Sequence, residues 1–486
     1  MFLNALKEET NFTLTANGAI AHKSTLNKLM DLFAMGAAYR WRSESDCILL
    51  FKEAYEENPE YALKCLFYIR DILDGAGERR FFRMCFKWLA QNYPEAALRN
   101  MRFIPMLGRW DDLYCLVDTP IQEDMFKFME DQFELDLASK TPSLCGKWLK
   151  SPNTSSKDSV KQARLTYTAF GMSERDYRRA LSYLRKKIHV LERLMSANEW
   201  DKIEFDKIPS AAGLKYRNAF AEHEVTRAKY EAFAKDKKTK VNAKALFPYQ
   251  VIKKAIDLDW YSMENNLEDT ERLMINKYWD NLTDYFNGAT LNALCMVDTS
   301  GSMCGDPINI AISLGLYCAE RAKGPFANHY ISFSSCPQLI ECRGVDFCDK
   351  VQRIYRTNLC ENTNIKAAFD LLLHTAMNYH MKQEDLPQNI IIVSDMQVDW
   401  ADKAFTRSKT TIMEGIRRQW ALAGYKMPHL IYWNVNASEN TILDSDPDVS
   451  YVSGASPSIF ESILTGKTGY ELMMNALNKD KYKEIK

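Results

Sequence analysis

Asp298-Thr299-Ser300-Gly301-Ser302 stands directly behind the apolar run Leu291-Asn292-Ala293-Leu294-Cys295-Met296-Val297, and this junction decides the fold class of the C-terminal part. A short hydrophobic segment that ends in a carboxylate and two spaced hydroxyls, then gives way to a helix, reads as a buried parallel strand presenting oxygen atoms at its C-terminal end. Open α/β sheets bind ligands at that end. A hard divalent cation such as Mg²⁺ takes oxygen donors and retains several waters, so a few small hydroxyls and carboxylates are enough to hold it. Alone, the loop is equally compatible with a plain strand-to-helix turn, a serine capping the helix and Gly301 relaxing the backbone.

Two distant segments extend the reading. Asn389-Ile390-Ile391-Ile392-Val393-Ser394-Asp395 is a second apolar run ending in an aspartate. Glu361-Asn362-Thr363-Asn364 opens the apolar-periodic stretch Ile365, Phe369, Leu372 and Leu373, which puts Thr363 near a helix N-terminus. In this order the set resembles the metal-ion-dependent adhesion site of von Willebrand factor A domains, a D-x-S-x-S loop followed by a lone Thr and a lone Asp. The resemblance implies Ser300, Ser302 and Thr363 as direct ligands of Mg²⁺ or another divalent cation such as Mn²⁺. It implies Asp298 and Asp395 acting largely through water, with a carboxylate from a protein ligand completing the shell. Cys304, two residues beyond Ser302, would suit a softer metal or bring oxidation close to the loop.

The surrounding sequence alternates strand and helix. Residues 307 to 321 read as a helix, His329-Tyr330-Ile331-Ser332-Phe333 as a strand, then come the Thr363 helix, the Asp395 strand, Leu430-Ile431-Tyr432-Trp433 and a last strand around Val449-Ser450-Tyr451-Val452. Such alternation implies a doubly wound sheet. Residues 289–486 suffice for one such domain of roughly 200 residues, and the resemblance implies that it is a Rossmann-like von Willebrand factor A domain.

The first 250 residues carry a different pattern, with helices of about 12 to 20 residues between short breaks. Ile48, Leu49, Phe51, Ala54 and Tyr55 form one apolar face, residues 61 to 72 another, and Phe81, Phe82, Met84, Cys85, Trp88 and Leu89 a third. Paired helices without strand signals predict a helical-repeat array over 1–288, with the linking stretch 257–288, including Trp260, Tyr278 and Trp279, assignable to either side. Phe67-Tyr68-Ile69-Arg70-Asp71, Gly75-Ala76-Gly77-Glu78-Arg79, Leu107-Gly108-Arg109-Trp110-Asp111-Asp112-Leu113, Lys147-Trp148-Leu149 and Pro209-Ser210 resemble the DUF2828 family. That family is similar in layout to the TROVE-domain Ro proteins. The resemblance implies a ring of HEAT-like helices closed by the A domain, and binding of small structured RNAs or single-stranded RNA ends.

Charge gives independent support. The formal net charge is −1, yet Lys147 to Lys254 contains 25 Lys and Arg against 12 Asp and Glu. A basic segment in a neutral chain marks a local polyanion surface. From Asp176 to Trp200, Leu181, Leu184, Ile188, Leu191 and Met195 predict one buried stripe, and Arg179, Lys186 and Arg193, flanked by Arg178 and Arg185, a neighbouring cationic one. Such a row can follow a phosphate backbone. Lys237 and Lys238, with Lys235 and Lys240, form a second cluster, and Lys147, Lys150, Lys157, Lys161 and Arg164 a third. The aromatics of this segment, Tyr167, Phe170, Tyr177, Tyr183, Trp200 and Phe220, read mostly as core rather than as base-stacking platforms.

Catalysis finds little footing. The seven histidines make no H-E-x-x-H pair, and neither a G-x-S-x-G elbow nor a Walker loop occurs. No stretch has the roughly 20 apolar residues of a membrane span, and the start lacks a signal peptide's features. The twelve cysteines are scattered without a C-x-x-C pair, pointing to reduced thiols in a cytoplasmic protein. The expectation is a non-catalytic Ro-like RNA-binding scaffold with a Mg²⁺-binding A domain that closes the ring or recruits a partner. The alternative is a metal-dependent protein-binding adaptor, including a cofactor of an AAA+ ATPase or chaperone, without RNA binding. A metal-dependent nuclease is the least supported reading.

Overall fold

The computed structural model describes residues 2–258, 269–333, 336–356, 363–399, 411–444, 446, 448–465 and 468–486. Glu361, Asn362 and Trp260, named above, lie outside the described residues.

Local sequence explains the helices of the N-terminal region. Asn58 caps the Pro59–Arg70 helix by accepting from Tyr61 N–H at 3.2 Å, and Pro59 occupies the first turn, where its missing N–H costs nothing. The Arg79–Asn92 helix turns Phe81, Phe82, Cys85, Phe86 and Leu89 inward, while Met84 and Trp88 pack at its margin. In the Glu44–Glu57 helix the buried face is Cys47, Leu50, Phe51, Ala54 and Tyr55; Leu49, read as part of that face, is exposed.

Two expectations need correction here. The region is not wholly helical, because Phe12–Leu14 (β1) and Ile20–His22 (β2) form an antiparallel hairpin. The helix expected over Asp176–Trp200 is two helices, Glu174–Lys187 and Leu191–Ser196. His189, at φ +50°, ends the first; its N–H bonds to Lys186 O and Val190 N–H bonds back to Arg185 O. This left-handed closure satisfies the last carbonyls without glycine.

Among the described residues the C-terminal region holds six strands: Ala293–Asp298 (β3), His329–Phe333 (β4), Gln338–Glu341 (β5), Asn389–Ser394 (β6), His429–Asn434 (β7) and Ser450–Ser453 (β8). Their order is β5-β4-β3-β6-β7-β8. All neighbours are parallel except β4 and β5, so the sheet is mixed, with an antiparallel edge strand that the sequence reading omitted. Every residue of β3 is buried, as a central parallel strand requires. Chain direction across the sheet reverses between β3 and β6, whose C-terminal ends carry Asp298 and Asp395.

Both ends of the helical region rest on this α/β part. Early in the chain, the Lys28–Met35 helix packs on β8, with Ser453 Oγ donating to Phe33 O at 2.9 Å and Ala37 N–H donating back to it. Later, the Pro248–Ile256 helix packs on Asp306–Arg321, with Lys253 Nζ 2.6 Å from Asp306 Oδ1. The Asp71–Glu78 connection is a third joint: Tyr482 OH donates to Asp71 Oδ2 at 2.8 Å, and Ser458 Oγ donates to Gly75 O at 2.9 Å. A Cβ on Gly75 would lie 2.1 Å from Tyr68 O, so this close turn admits only glycine. No helix among the described residues is long and apolar enough to cross a membrane.

Candidate functional site

Two sites were expected, and the fold assembles each differently. At the C-terminal end of β3, Asp298 is fully buried; its Oδ1 accepts from Ser300 N–H at 2.9 Å and its Oδ2 from Ser394 Oγ at 2.5 Å. Ser300 and Ser302 hydroxyls lie 3.1 Å apart. Asp395, 2 % exposed, accepts from Gln397 N–H at 3.1 Å and is also bonded by the Ser302 hydroxyl. Thr363 is buried, and its carbonyl accepts from Asp399 N–H at 3.0 Å, on the segment that leaves Asp395. Asp298, Ser300, Ser302 and Asp395 are therefore in one cluster, and Thr363 is tied to it through the backbone.

Burial, then the charge of Asp395, pushes the Asp298 carboxyl up to about 7 against the hydrogen bonds from Ser300 and Ser394. Burial likewise raises Asp395. Among the described residues neither carboxylate has an ion-pair partner, and two buried like charges without a counterion are costly. Ser302, by contrast, is exposed and marks the open side. Such a donor set of hydroxyls and carboxylates fits a hard divalent cation rather than a soft one. No group of three or more His, Cys, Asp or Glu among the described residues is placed to hold a metal.

The second site is a cavity of about 1450 Å³ inside the helical region. Among the described residues, ten arginine and lysine side chains line it against one carboxylate, Glu192. Arg175, Arg178, Arg179 and Arg185 come from the Glu174–Lys187 helix and Arg193 from the next one. Arg70, Arg79, Arg109, Lys147 and Lys215 come from other stretches of the chain. Of the residues predicted to contact RNA, Arg178, Arg179, Arg185 and Arg193 reach this cavity. Lys186, Lys237 and Lys238 do not line it; they are exposed elsewhere.

The lining cations differ in freedom. Arg185 donates to Gly146 O, Leu149 O and Ser151 Oγ at 2.7–3.0 Å, so it braces the Lys147 turn. Arg193 pairs with Glu199. Arg178 lies a loose 3.9 Å from Glu174, and both are exposed. Behind the wall, Arg70 and Arg83 clamp the buried Asp112 at 2.6 and 2.7 Å, and Arg109 grips Asp111 with two bonds of 2.8 Å. Burial works against the Asp111 charge, yet Arg109, Arg83 and Lys150 hold its carboxyl down to about 2. The Arg109 guanidinium also lies 3.9 Å from the centre of the Trp148 ring, which lines the cavity. Sequence reasoning named Lys147 but missed Arg70, Arg79, Arg109, Arg175 and Lys215 as members of a basic site. The usable signal was that four of the stretches resembling DUF2828 carry a cation each.

Residues 15–134 and 147–289 match the family described as "Domain of unknown function (DUF2828)". The chain belongs to the DUF2828 family. Its residues 292–485 match a second description, "Domain of unknown function (DUF7788)". A relative, "Uncharacterized protein L728" of Acanthamoeba polyphaga mimivirus, is 28% identical over 502 residues, covering 94% of this DUF2828 chain and 85% of that protein. The chain is also similar to the Ro (RSR) protein of Deinococcus radiodurans, with a TM-score of 0.41 at 13% identity, over 93% of this chain and 99% of that one.

Proposed function

We propose that this DUF2828 chain is a non-catalytic RNA-binding scaffold whose basic cavity holds single-stranded RNA. The observation that carries the reading is the excess, ten to one among the described residues, of cationic over anionic side chains around one open cavity. Phosphates neutralise such a wall, releasing counterions as they bind. A concave wall with an aromatic ring such as Trp148 on it suits a single strand, whose bases can splay and stack, better than a rigid duplex. Arg175, Arg178 and Arg179 are the foremost backbone contacts, with Lys186, Lys237 and Lys238 acting from outside.

In the same proposal the C-terminal part is a von Willebrand factor A-like domain. Ser300, Ser302 and Thr363 would hold Mg²⁺ or Mn²⁺, with Asp298 and Asp395 neutralising it, and the buried, unpaired carboxylates support this. The bound cation would supply an open coordination position for an acidic partner group.

Binding of labelled single-stranded RNA across a salt series, with Mg²⁺ and with chelator, tests the reading. Five phosphate contacts would weaken binding by about 10²-fold between 50 and 200 mM salt. Salt-insensitive binding, or none at low salt, would sink it.

A metal-dependent protein adaptor is the second reading, favoured by the exposed Ser302 beside the buried Asp298. It predicts Mg²⁺-dependent protein capture, abolished in Asp298→Ala, by a chain that ignores RNA.

A further inference from the structure

The stretches that carry the DUF2828 resemblance are far apart in sequence, yet each sends at least one residue to the same cavity: Arg70, Arg79, Arg109, Lys147 and Ser210. Three observations distinguish this wall from the rest. First, its cations divide into used and unused. Arg70 is committed to Asp112 and Arg109 to Asp111. Arg79 and Lys147 have no carboxylate within ion-pair distance among the described residues. Burial, then the neighbouring Arg109 and Arg83 charges, lowers the Arg79 pKa; burial lowers that of Lys147, which Glu192 only partly offsets. Positive charge is therefore concentrated there, offset only through space by Asp111 and Asp112 at Arg79 and by Glu192 at Lys147.

Second, the 13-residue Ser210–Glu222 helix begins on this wall. Pro209 at its N-cap provides no side-chain cap, and its first turn has no acidic residue. The first bond into its ladder is Gly213 N–H to Pro209 O, so the N–H groups of Ala211 and Ala212 have no partner within the helix, while the Ser210 N–H is directed to the Asn242 carbonyl in the parallel bridge between Pro209 and Asn242. Ser210, Ala211 and Ala212 all line the cavity. Third, Ser210 is only 4 % exposed, stands on the cavity wall and makes no side-chain hydrogen bond to any described residue. A hydroxyl open to the cavity on an otherwise buried residue is free to bond a ligand there.

We propose that Arg79, Lys147 and the uncapped Ser210 turn form a binding site for a phosphomonoester. An internal phosphodiester offers one charge, whereas a terminal phosphate brings nearly two and three acceptor oxygens. Those numbers match two cations without ion pairs and the Ser210 hydroxyl with the Ala211 and Ala212 N–H groups, all on the lining of one cavity. The proposal rests on the RNA-binding reading for its source, the phosphorylated end of a single strand; a free nucleotide carries the same group.

The test uses the full chain and short single-stranded RNAs identical except for a 5′-phosphate, a 3′-phosphate or hydroxyl ends, with adenosine 5′-monophosphate as a separate titrant. One phosphorylated end is expected to bind about tenfold tighter than the hydroxyl form, as one strong charge-assisted contact would give. Arg79→Gln and, separately, Lys147→Gln should remove that preference, Ser210→Ala should reduce it, and Lys382→Gln, at an exposed lysine of the C-terminal region, should leave it intact. Equal binding of all ends would overturn the phosphate site while leaving RNA binding standing, as would a preference that survives both Arg79→Gln and Lys147→Gln. Binding of the mononucleotide that needs Arg79 and Lys147, with no RNA binding, would uphold the site and overturn the RNA reading. If neither ligand binds, both fail.

Discussion

The basic cavity and the carboxylate cluster both gather like charges, and they do so under opposite conditions. Cavity cations such as Arg175 and Arg179 are exposed on a wall where water screens them; Asp298 and Asp395 are buried at adjacent strand ends, where nothing does. Screened charge can be added piece by piece, so the wall tolerates exposed cations such as Arg175, Arg178 and Arg179 side by side, whereas the cluster is already strained by two carboxylates. At the base of the same wall a third arrangement occurs, with Arg70 and Asp112 both buried but paired. Removing one member breaks the comparison most sharply. Asp112→Ala leaves Arg70 buried without its counterion and is expected to cost about 3–5 kcal/mol. Arg179→Ala, on the exposed wall, should stay within about 0.5 kcal/mol of the parent. Denaturant unfolding of the two variants measures the contrast, and similar losses would show that the wall cations are structural.

The cluster should respond to pH in a direction set by its burial. Because Asp298 is held at about 7 against an ordinary 3.8, the folded state binds its proton more tightly than the unfolded chain between those values. Its contribution is thus fully present below pH 3.8 and lost as the pH rises through 7, a change of as much as about 4 kcal/mol. In chelator, Asp298→Asn should match the parent below pH 4 and exceed it in stability above pH 7. Mg²⁺ should raise the parent's Tm at pH 8 and leave the variant's unchanged. A parent that is the more stable at pH 8 in chelator would contradict the uncompensated-charge account.

Legibility in the sequence followed the same divide between local and assembled features. β3, β6 and β7 were readable because a strand buried on both faces is a continuous apolar run, and the aspartates ending the first two located one end of the sheet. β5, Gln338–Glu341, was missed because an exposed edge strand of Gln, Leu, Ile and Glu has neither that run nor a clean alternation. The β1–β2 hairpin is too short to announce itself and is held by partners far away, as where Thr15 Oγ1 donates to Val398 O. The break at His189 has no glycine or proline to mark it. Among the cations, the stripe through Arg178 and Arg179 was visible, but the binding of Arg185 to the carbonyls of Gly146 and Leu149 was not, since no periodicity records a bond 36 to 39 residues away. The convergence of Arg79, Arg109 and Lys215 on one cavity is a property of chain closure alone.

Removing several wall charges together sharpens the comparison from the side of function. The triple substitution Arg175→Gln, Arg178→Gln and Arg179→Gln is expected to lower single-stranded RNA affinity by about 10²-fold near physiological salt. It should also reduce the salt slope by about 2, at roughly 0.7 for each phosphate no longer neutralised. Thermal stability and any Mg²⁺ response should be unchanged, because none of the three side chains has a buried partner. An unaltered slope would mean that RNA runs along another surface.

The smallest effect is expected from charges that share the basic segment but not the cavity. Lys186, Lys237 and Lys238 are exposed away from its lining, and across a Debye length of about 8 Å at physiological salt their influence on a strand inside is largely screened. Each Gln substitution should therefore lower RNA affinity by less than about twofold, with a larger effect only at low ionic strength. Fluorescence anisotropy at two salt concentrations separates the cases. A reduction rivalling that of the arginine triple, persisting at high salt, would place these lysines directly against RNA and extend its path from the cavity onto the outer face of the Glu224–Lys235 helix.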